Sequence, residues 1–215
     1  MIMHHLKRCF LYALWLVFAL FLVFSLHLAY NFFTLNVHAV IPNKIYRSAQ
    51  LDQVELTYYE RKLHFKTIIN LRGRWPKKSW YRVENRFAEK HHLQYYSIQF
   101  EAYLLPSKAR LRELAYVLET APKPLIFHCE GGSDRTGLAA MMSKILLDDH
   151  VSISTLKRQV SWHYNAISKN TVGYQVLRNY LTWLKKNQYH SSKKHFLQWL
   201  MLPEKMKPYS GWFVV

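Results

Sequence analysis

The chain has 215 residues, half of them hydrophobic, and its 30 Lys and Arg against 13 Asp and Glu leave a formal charge of +17. Two cysteines exclude a disulfide framework. No segment reads as an RNA- or DNA-recognition motif, so the positive field points to acidic lipid or a phosphorylated ligand rather than to nucleic acid.

The first segment, residues 10–26, reads FLYALWLVFALFLVFSL without a charge. Its weakly polar extension through Tyr30 to Phe33 makes it long enough to cross a bilayer, which takes about 20 residues. His4, His5, Lys7 and Arg8 precede it, and no Lys or Arg follows until Lys44. The positive-inside rule then keeps the N-terminus in the cytoplasm and places the body across the membrane, the periplasm in a Gram-negative bacterium. The rivals are a cleaved signal peptide, with Val37-His38-Ala39 as the cleavage site, and a buried or surface helix. No acid lies before Asp52, so the body from Val40 onward carries about +15. Cys129 is its single cysteine, which suits a free, reactive thiol.

Along the body, residues 41–48 read as a first strand and turn, 51–63 as helical and 66–71 as a short apolar strand. Residues 72–76, Arg-Gly-Arg-Trp-Pro, break the pattern. A helix over 80–91 and a strand over 93–98 follow. Residues 99–105 form a loop closed by Pro106. Ser107 is placed to cap a helix over 108–120. Residues 125–127 are a fully apolar strand of the kind buried in a parallel sheet. Helices are expected over 136–147, 154–167, 173–186 and 193–202, and a tail with Trp212 and Phe213 has no clear element. Strands alternating with helices indicate an α/β domain with a small central sheet flanked by helices, preceded by one transmembrane helix. The expected organisation is a cytoplasmic N-terminus over 1–8, an anchor over 9–30, a catalytic domain over 40–190 and a C-terminal helix and tail over 191–215.

The densest chemistry lies in His128-Cys129-Glu130-Gly131-Gly132-Ser133-Asp134-Arg135-Thr136-Gly137. A tight loop between a strand end and a helix start points backbone N–H groups inward, and the helix N-terminus adds its free amides and positive dipole end. Gly131 and Gly132 permit close approach. Glu130, Gly131, Gly132 and Ser133 would therefore line a phosphate cradle, and Arg135 can grip two oxygens in a fork. The same field favours the thiolate of Cys129, whose unperturbed pKa is about 8.5. Such a thiolate attacks phosphorus, gives a phosphocysteine intermediate and is released by water. Thr136 can donate its hydroxyl to the sulfur as it leaves, and His128 can orient the loop.

An alkoxide leaving group needs a proton. Glu101, 28 residues before Cys129, and Asp134, inside the loop, both qualify; Asp134 can instead pair with a basic side chain or cap amides. Arg72 can line the pocket mouth or be solvated, as can Arg74. Lys77, Lys78, Arg82 and Arg86 form a basic cluster that is either a solvated face or a site for anionic lipid. Arg47 reads as structural. The scattered histidines show no metal-ligand spacing.

Cys129-x5-Arg135 followed by Thr136 resembles the loop of the protein tyrosine and dual-specificity phosphatase superfamily. Ile45-Tyr46-Arg47-Ser48-Ala49-Gln50 and Ile68-Ile69-Asn70-Leu71-Arg72 look like the opening strands of its compact atypical bacterial and plant/fungal members. The resemblance implies a cysteine phosphatase that needs no metal or other cofactor, with Cys129 as nucleophile and Arg135 as clamp. It implies action on phosphotyrosine, phosphoserine/threonine, phosphoinositides or inositol polyphosphates. The general acid there is usually an aspartate on a mobile loop; here Glu101 stands in the corresponding stretch. The run CEGGSDRT also resembles the loop of myotubularin-like lipid phosphatases, which points to a lipid phosphate. The rival classes are a sulfur-transferring loop of the rhodanese kind and a catalytically inactive phosphate-binding interaction module.

Overall fold

The structure, a computed structural model, describes residues 2–148 and 151–209; Trp212 and Phe213 lie outside them. The chain forms two compact units, residues 1–34 and 35–215.

The first unit is one helix, α1 (Ile2–Phe33), with no glycine, proline or acid to interrupt it. Phe10, Trp15, Phe18 and Phe21 are all exposed on it. The stretch Lys7–Phe33 is long and apolar enough to span a bilayer. A helix that is apolar on every side needs an apolar surrounding, which a membrane or a protein core supplies.

The second unit is built on a five-stranded sheet with the order β1-β2-β5-β3-β4. Strands β1 (His38–Ile41) and β2 (Ile45–Ser48) pair as an antiparallel hairpin, with His38 opposite Arg47. The strand and turn expected over 41–48 are β2 and the turn before it, at Pro42 and Asn43, the latter at φ 60°; β1 ahead of the turn is an additional strand. Strands β3 (Thr67–Asn70), β4 (Gln94–Ser97) and β5 (Leu125–His128) pair parallel, and β5 lies between β2 and β3.

Helices α2 (Gln53–Leu63), α3 (Ser79–Lys90), α4 (Lys108–Thr120) and α5 (Asp134–Leu147) connect or follow these strands. Asp52 and Glu55 form a reciprocal capping box on α2, and Ser107 caps α4 as its position predicts. Alternation along the strands feeds two cores. Ile68 and Ile126 pack with Leu56 and Phe87 on one side. Ile69, Leu125 and Phe127 pack with Leu111, Leu138 and Met141 on the other. Both faces of the sheet are therefore covered, as a mostly parallel sheet requires.

The helix expected over 154–167 is shorter. It ends as α6 (Ile153–Gln159), and a 3₁₀ turn, Trp162–Tyr164, follows. The break brings both Gln159 and Tyr164 to the buried guanidinium of Arg47. Helices α7 (Val172–Lys186) and α8 (Lys193–Met201) complete the unit, with Val176, Tyr180 and Phe196 in the core beside α5.

Candidate active site

The C-terminal end of β5 is the middle of the parallel sheet's carboxyl edge, the place where α/β folds bind ligands. All four residues of β5 are buried, so the chain leaving it is fixed in position. Residues 129–133 turn there into α5.

The turn is held from below by buried donors. Arg47, 0% exposed, donates from Nη2 to the carbonyls of Gly132 (2.9 Å) and Ser133 (3.3 Å) and from Nη1 to the carbonyl and side chain of Gln159. Its guanidinium lies 3.8 Å over the Tyr164 ring. Asn36 donates to the Gly132 carbonyl at 3.1 Å, and the Gln50 amide donates to the Glu130 carbonyl at 3.1 Å. In a trans peptide the C=O and N–H point oppositely. With the carbonyls of Glu130, Gly132 and Ser133 taken on one side, the amides of Gly131, Ser133 and Asp134 face the other. That is the arrangement of an anion nest.

Burial lowers the Arg47 pKa to about 10, while Tyr164 and Cys129 pull it back up. It therefore stays a cation at neutral pH. Cys129, 3% exposed, lies within its field. His128 places Nδ1 at 3.1 Å from the Cys129 carbonyl, and its Nε2 pairs at 2.6 Å with Glu84.

Arg135 sits in the first turn of α5. Its Nη1 donates to the Phe100 carbonyl at 3.4 Å, and its buried Nε has no hydrogen-bond partner among the described residues. It lines a cavity of about 200 Å³ together with Arg72, Lys78, Trp80, Glu101 and Glu130. Arg72 lies 3.9 Å over Trp80, 3.4 Å from Glu130 and within reach of Gln50. Glu101 is exposed and accepts from Gln99 at 3.0 Å. A larger cleft of about 530 Å³, between the start of α4 and the segment after α8, shares no residue with this one. Its Lys108 and Arg112 donate to the carbonyls of Leu202 and Leu200.

The structure thus brings Arg72, Glu101, Glu130 and Arg135 to one cavity beside the loop. Asp134 is not among them. Its Oδ1 accepts from the Gly173 amide at 3.0 Å, at the N-terminus of α7. Burial pushes its carboxyl up to about 7, against the pull of the Gly173 and Val172 amides and of Arg135. The Thr136 hydroxyl is directed at the Ser48 carbonyl, at 3.5 Å, and the Ser133 hydroxyl at the Gly131 carbonyl. Gly132 has φ +68°, and a Cβ there would meet the Ala49 amide at 2.7 Å; a Cβ at Gly131 would meet only the Ser133 Oγ, at 4.0 Å. Sequence reading missed Asn36, Glu84, Gln159 and Tyr164, which lie 30 to 93 positions away along the chain from Cys129 and carry no motif of their own. Among the described residues no group of three or more His, Cys, Asp or Glu is placed to hold a metal ion.

The sequence model of the tyrosine phosphatase family matches residues 31–151. The chain belongs to that family. It is accordingly a cysteine-dependent phosphatase, and the residues matched include the strand, loop and helix around Cys129. No curated protein sequence matches the chain. Among solved structures it is similar to the core catalytic domain of the PP-IP phosphatase SIW14 from S. cerevisiae. There the identity is 20%, the TM-score 0.54, and the match covers 71% of this chain and 93% of that one. It is similar also to a DUF442 protein from Shewanella putrefaciens CN-32, at 15% identity and a TM-score of 0.50, covering 72% and 93%. These likenesses bear on the fold, a mixed sheet flanked by helices.

Proposed function

We propose that the protein hydrolyses phosphate monoesters through a phosphocysteine at Cys129. The observation that carries this reading is the set of buried donors under residues 130–133. Arg47, Asn36 and the Gln50 amide take the loop carbonyls, which leaves the loop amides to hold phosphate oxygens, with the Arg135 donors beyond the Nη1 that meets the Phe100 carbonyl. The Cys129 thiolate attacks phosphorus and the ester oxygen leaves. Glu101, at the cavity wall, gives that oxygen its proton and then takes one from the water that attacks the phosphocysteine and frees the thiolate. Asp134 is the second candidate acid, but its engaged Oδ1 favours Glu101.

The substrate is a phosphorylated tyrosine or serine of a protein, or a phospholipid headgroup. The apolar α1 and the cations Arg72 and Lys78 at the cavity favour the headgroup, as the myotubularin-like loop does. We read α1 as an uncleaved anchor with the catalytic unit beyond the membrane. Cleavage after Ala39 would remove Asn36 from the loop and cut β1, whose residues 38 and 39 pair with Arg47 and Tyr46.

A phosphate-release panel tests this. It comprises phosphotyrosine and phosphoserine peptides, phosphoinositides and phosphatidylglycerophosphate, with Cys129→Ser as control. Phosphate release that survives Cys129→Ser would overturn Cys129 as the nucleophile, and no release from any substrate by the unmutated protein would leave the binding-module reading. Glu101→Gln should slow alkyl phosphates by 10²-fold or more, on the order expected for general acid catalysis, and spare aryl phosphates whose leaving group needs no proton.

A further inference from the structure

Two loops flank the cavity, and each holds large apolar side chains out in solvent. The first, residues 99–106, carries Glu101. Its backbone is clamped to the start of α7: the Val172 amide donates to the Ala102 carbonyl at 3.0 Å, and Gln175 Nε2 donates to the Tyr103 carbonyl at 3.4 Å. Tyr103 and Leu104 at its tip are nonetheless each 67% exposed. The second loop, residues 72–78, follows β3. Arg82 of α3 braces it, donating from Nη1 to the carbonyls of Lys77 (2.7 Å) and Pro76 (3.3 Å). Trp75 Nε1 donates to the Arg72 carbonyl at 2.8 Å, which fixes the ring at the cavity with 46% of the residue exposed.

A single exposed apolar side chain needs no explanation. Here three stand on braced backbone at one rim, in the company of cations. Arg74, Lys77 and Lys78 are exposed around Trp75. Arg74, Arg82 and Arg86 line a groove of about 360 Å³ on the outer side of the same loop. Set against them at the cavity are Glu101 and Glu130. Aromatic rings among Lys and Arg are the composition of a surface that meets a membrane: the rings rest at headgroup level, and the cations lie in the anionic surface field. The chain between α1 and the loop also leaves little slack. α1 ends at Phe33, the Ala49 amide holds the Leu35 carbonyl at 2.6 Å, and Asn36 grips the Gly132 carbonyl. Three Cα steps from Phe33 to Asn36 reach about 11 Å at full stretch. With α1 in a bilayer, the loop from Cys129 to Arg135 stays beside its surface.

We propose that this rim is a docking surface for an anionic bilayer. Tyr103, Leu104 and Trp75 enter the interface, and Arg74, Lys77 and Lys78 meet the headgroups. The cavity then opens toward lipid, and the loop that carries Glu101 is seated by the membrane that presents the substrate. The inference rests on α1 as an anchor and deepens the headgroup reading of the site.

The full chain in nanodiscs tests it, with one NBD label placed by cysteine in a Cys9→Ser, Cys129→Ser background that leaves no native thiol. The labelled variants are Leu104→Cys on the first loop, Lys77→Cys on the second and Thr120→Cys as reference. Helix α4 runs from the first loop to the turn before β5, so Thr120 stands toward the opposite edge of the sheet from the cavity. The discs hold phosphatidylcholine and phosphatidylglycerol, with a nitroxide lipid labelled near the headgroup. Leu104→Cys and Lys77→Cys should lose most of their emission to the nitroxide, and Thr120→Cys should keep its own. The loss at Lys77→Cys should shrink in discs of phosphatidylcholine alone, which offer the cations no partner. Emission kept at Leu104→Cys would overturn the proposal and leave the cations to an acidic protein. Equal loss at all three positions would overturn it too, as would equal loss with and without phosphatidylglycerol. The labelled proteins lack the nucleophile and are read without turnover, so docking and phosphate release stand or fall separately.

Discussion

The loop from Cys129 to Arg135 has two sides built from different chemistry. Beneath it, Arg47, Asn36, Gln159, His128 and Glu84 are all at most 5% exposed, and each is tied to the loop or to another of the set. Around its mouth, Arg72, Glu101 and Glu130 meet solvent, and the Arg72–Glu130 pair stands at 3.4 Å with the glutamate side chain 71% exposed. Buried polar groups are costly to leave unpaired, whereas exposed pairs contribute little and yield to salt. The underside therefore fixes the shape of the cradle, and the mouth adjusts to what enters it.

The sharpest break in that contrast is Arg47→Met. It leaves the Gly132 and Ser133 carbonyls and the Gln159 side chain without their buried donor. Each buried acceptor left without a donor costs about 1–3 kcal/mol, so urea unfolding should show a large drop in midpoint and phosphate release should vanish. A variant of wild-type stability would mean that Asn36 alone holds the loop. The two glycines divide along the same line. At Gly132 a side chain meets positive φ and the backbone of Ser48 and Ala49, and the conformation alone costs about 1–2 kcal/mol. Gly132→Ala should abolish activity. At Gly131 a Cβ finds only the Ser133 Oγ, 4.0 Å away, so Gly131→Ala should fold and keep most of its rate.

Asp134 belongs to the underside by position, and pH exposes it. Its carboxyl is raised from 3.8 to about 7, so the folded state favours the neutral form. That contribution is fully present below about pH 4 and is lost as pH rises through 7. Asp134→Asn keeps an acceptor for the Gly173 amide and does not ionise. Its stability relative to the unmutated protein should rise by a few kcal/mol between pH 5 and 8, read as the difference in urea midpoints. Equal slopes with pH would show that Asp134 stays charged in the fold.

The sequence shows the mouth better than the underside. Cys129, Arg135 and the strand before them stand in one contiguous motif, and the cap at Ser107 is a local signal that holds in the structure. Glu101 and Arg72 lie in loops whose ends the neighbouring strands fix. The underside is assembled across the chain: Asn36 from before β1, Arg47 from β2, Glu84 from α3, Gln159 and Tyr164 from the broken helix. Arg47 has the look of a brace because a charge in an apolar strand needs a buried partner, yet no spacing names Gln159 as that partner. The expected helix over 154–167 misleads for the same reason. Local propensity favours continuing it, and the pull of Arg47 on Gln159 and Tyr164 ends it.

The smallest expected effect is at the mouth, and it tests whether the mouth adjusts at all. Glu130 lies inside the motif, where a negative charge opposes an anion, but it faces outward to Arg72. Glu130→Gln removes the repulsion and releases the guanidinium, which stays stacked on Trp80. KM for a substrate with a second phosphate should fall about threefold, and for a simple monoester hardly at all, with the difference fading as salt rises toward 1 M and the screening length shortens. A KM that instead rises would show that Glu130 holds Arg72 in place. The rim would then share the rigidity of the underside, and the contrast between the two sides of the loop would not hold.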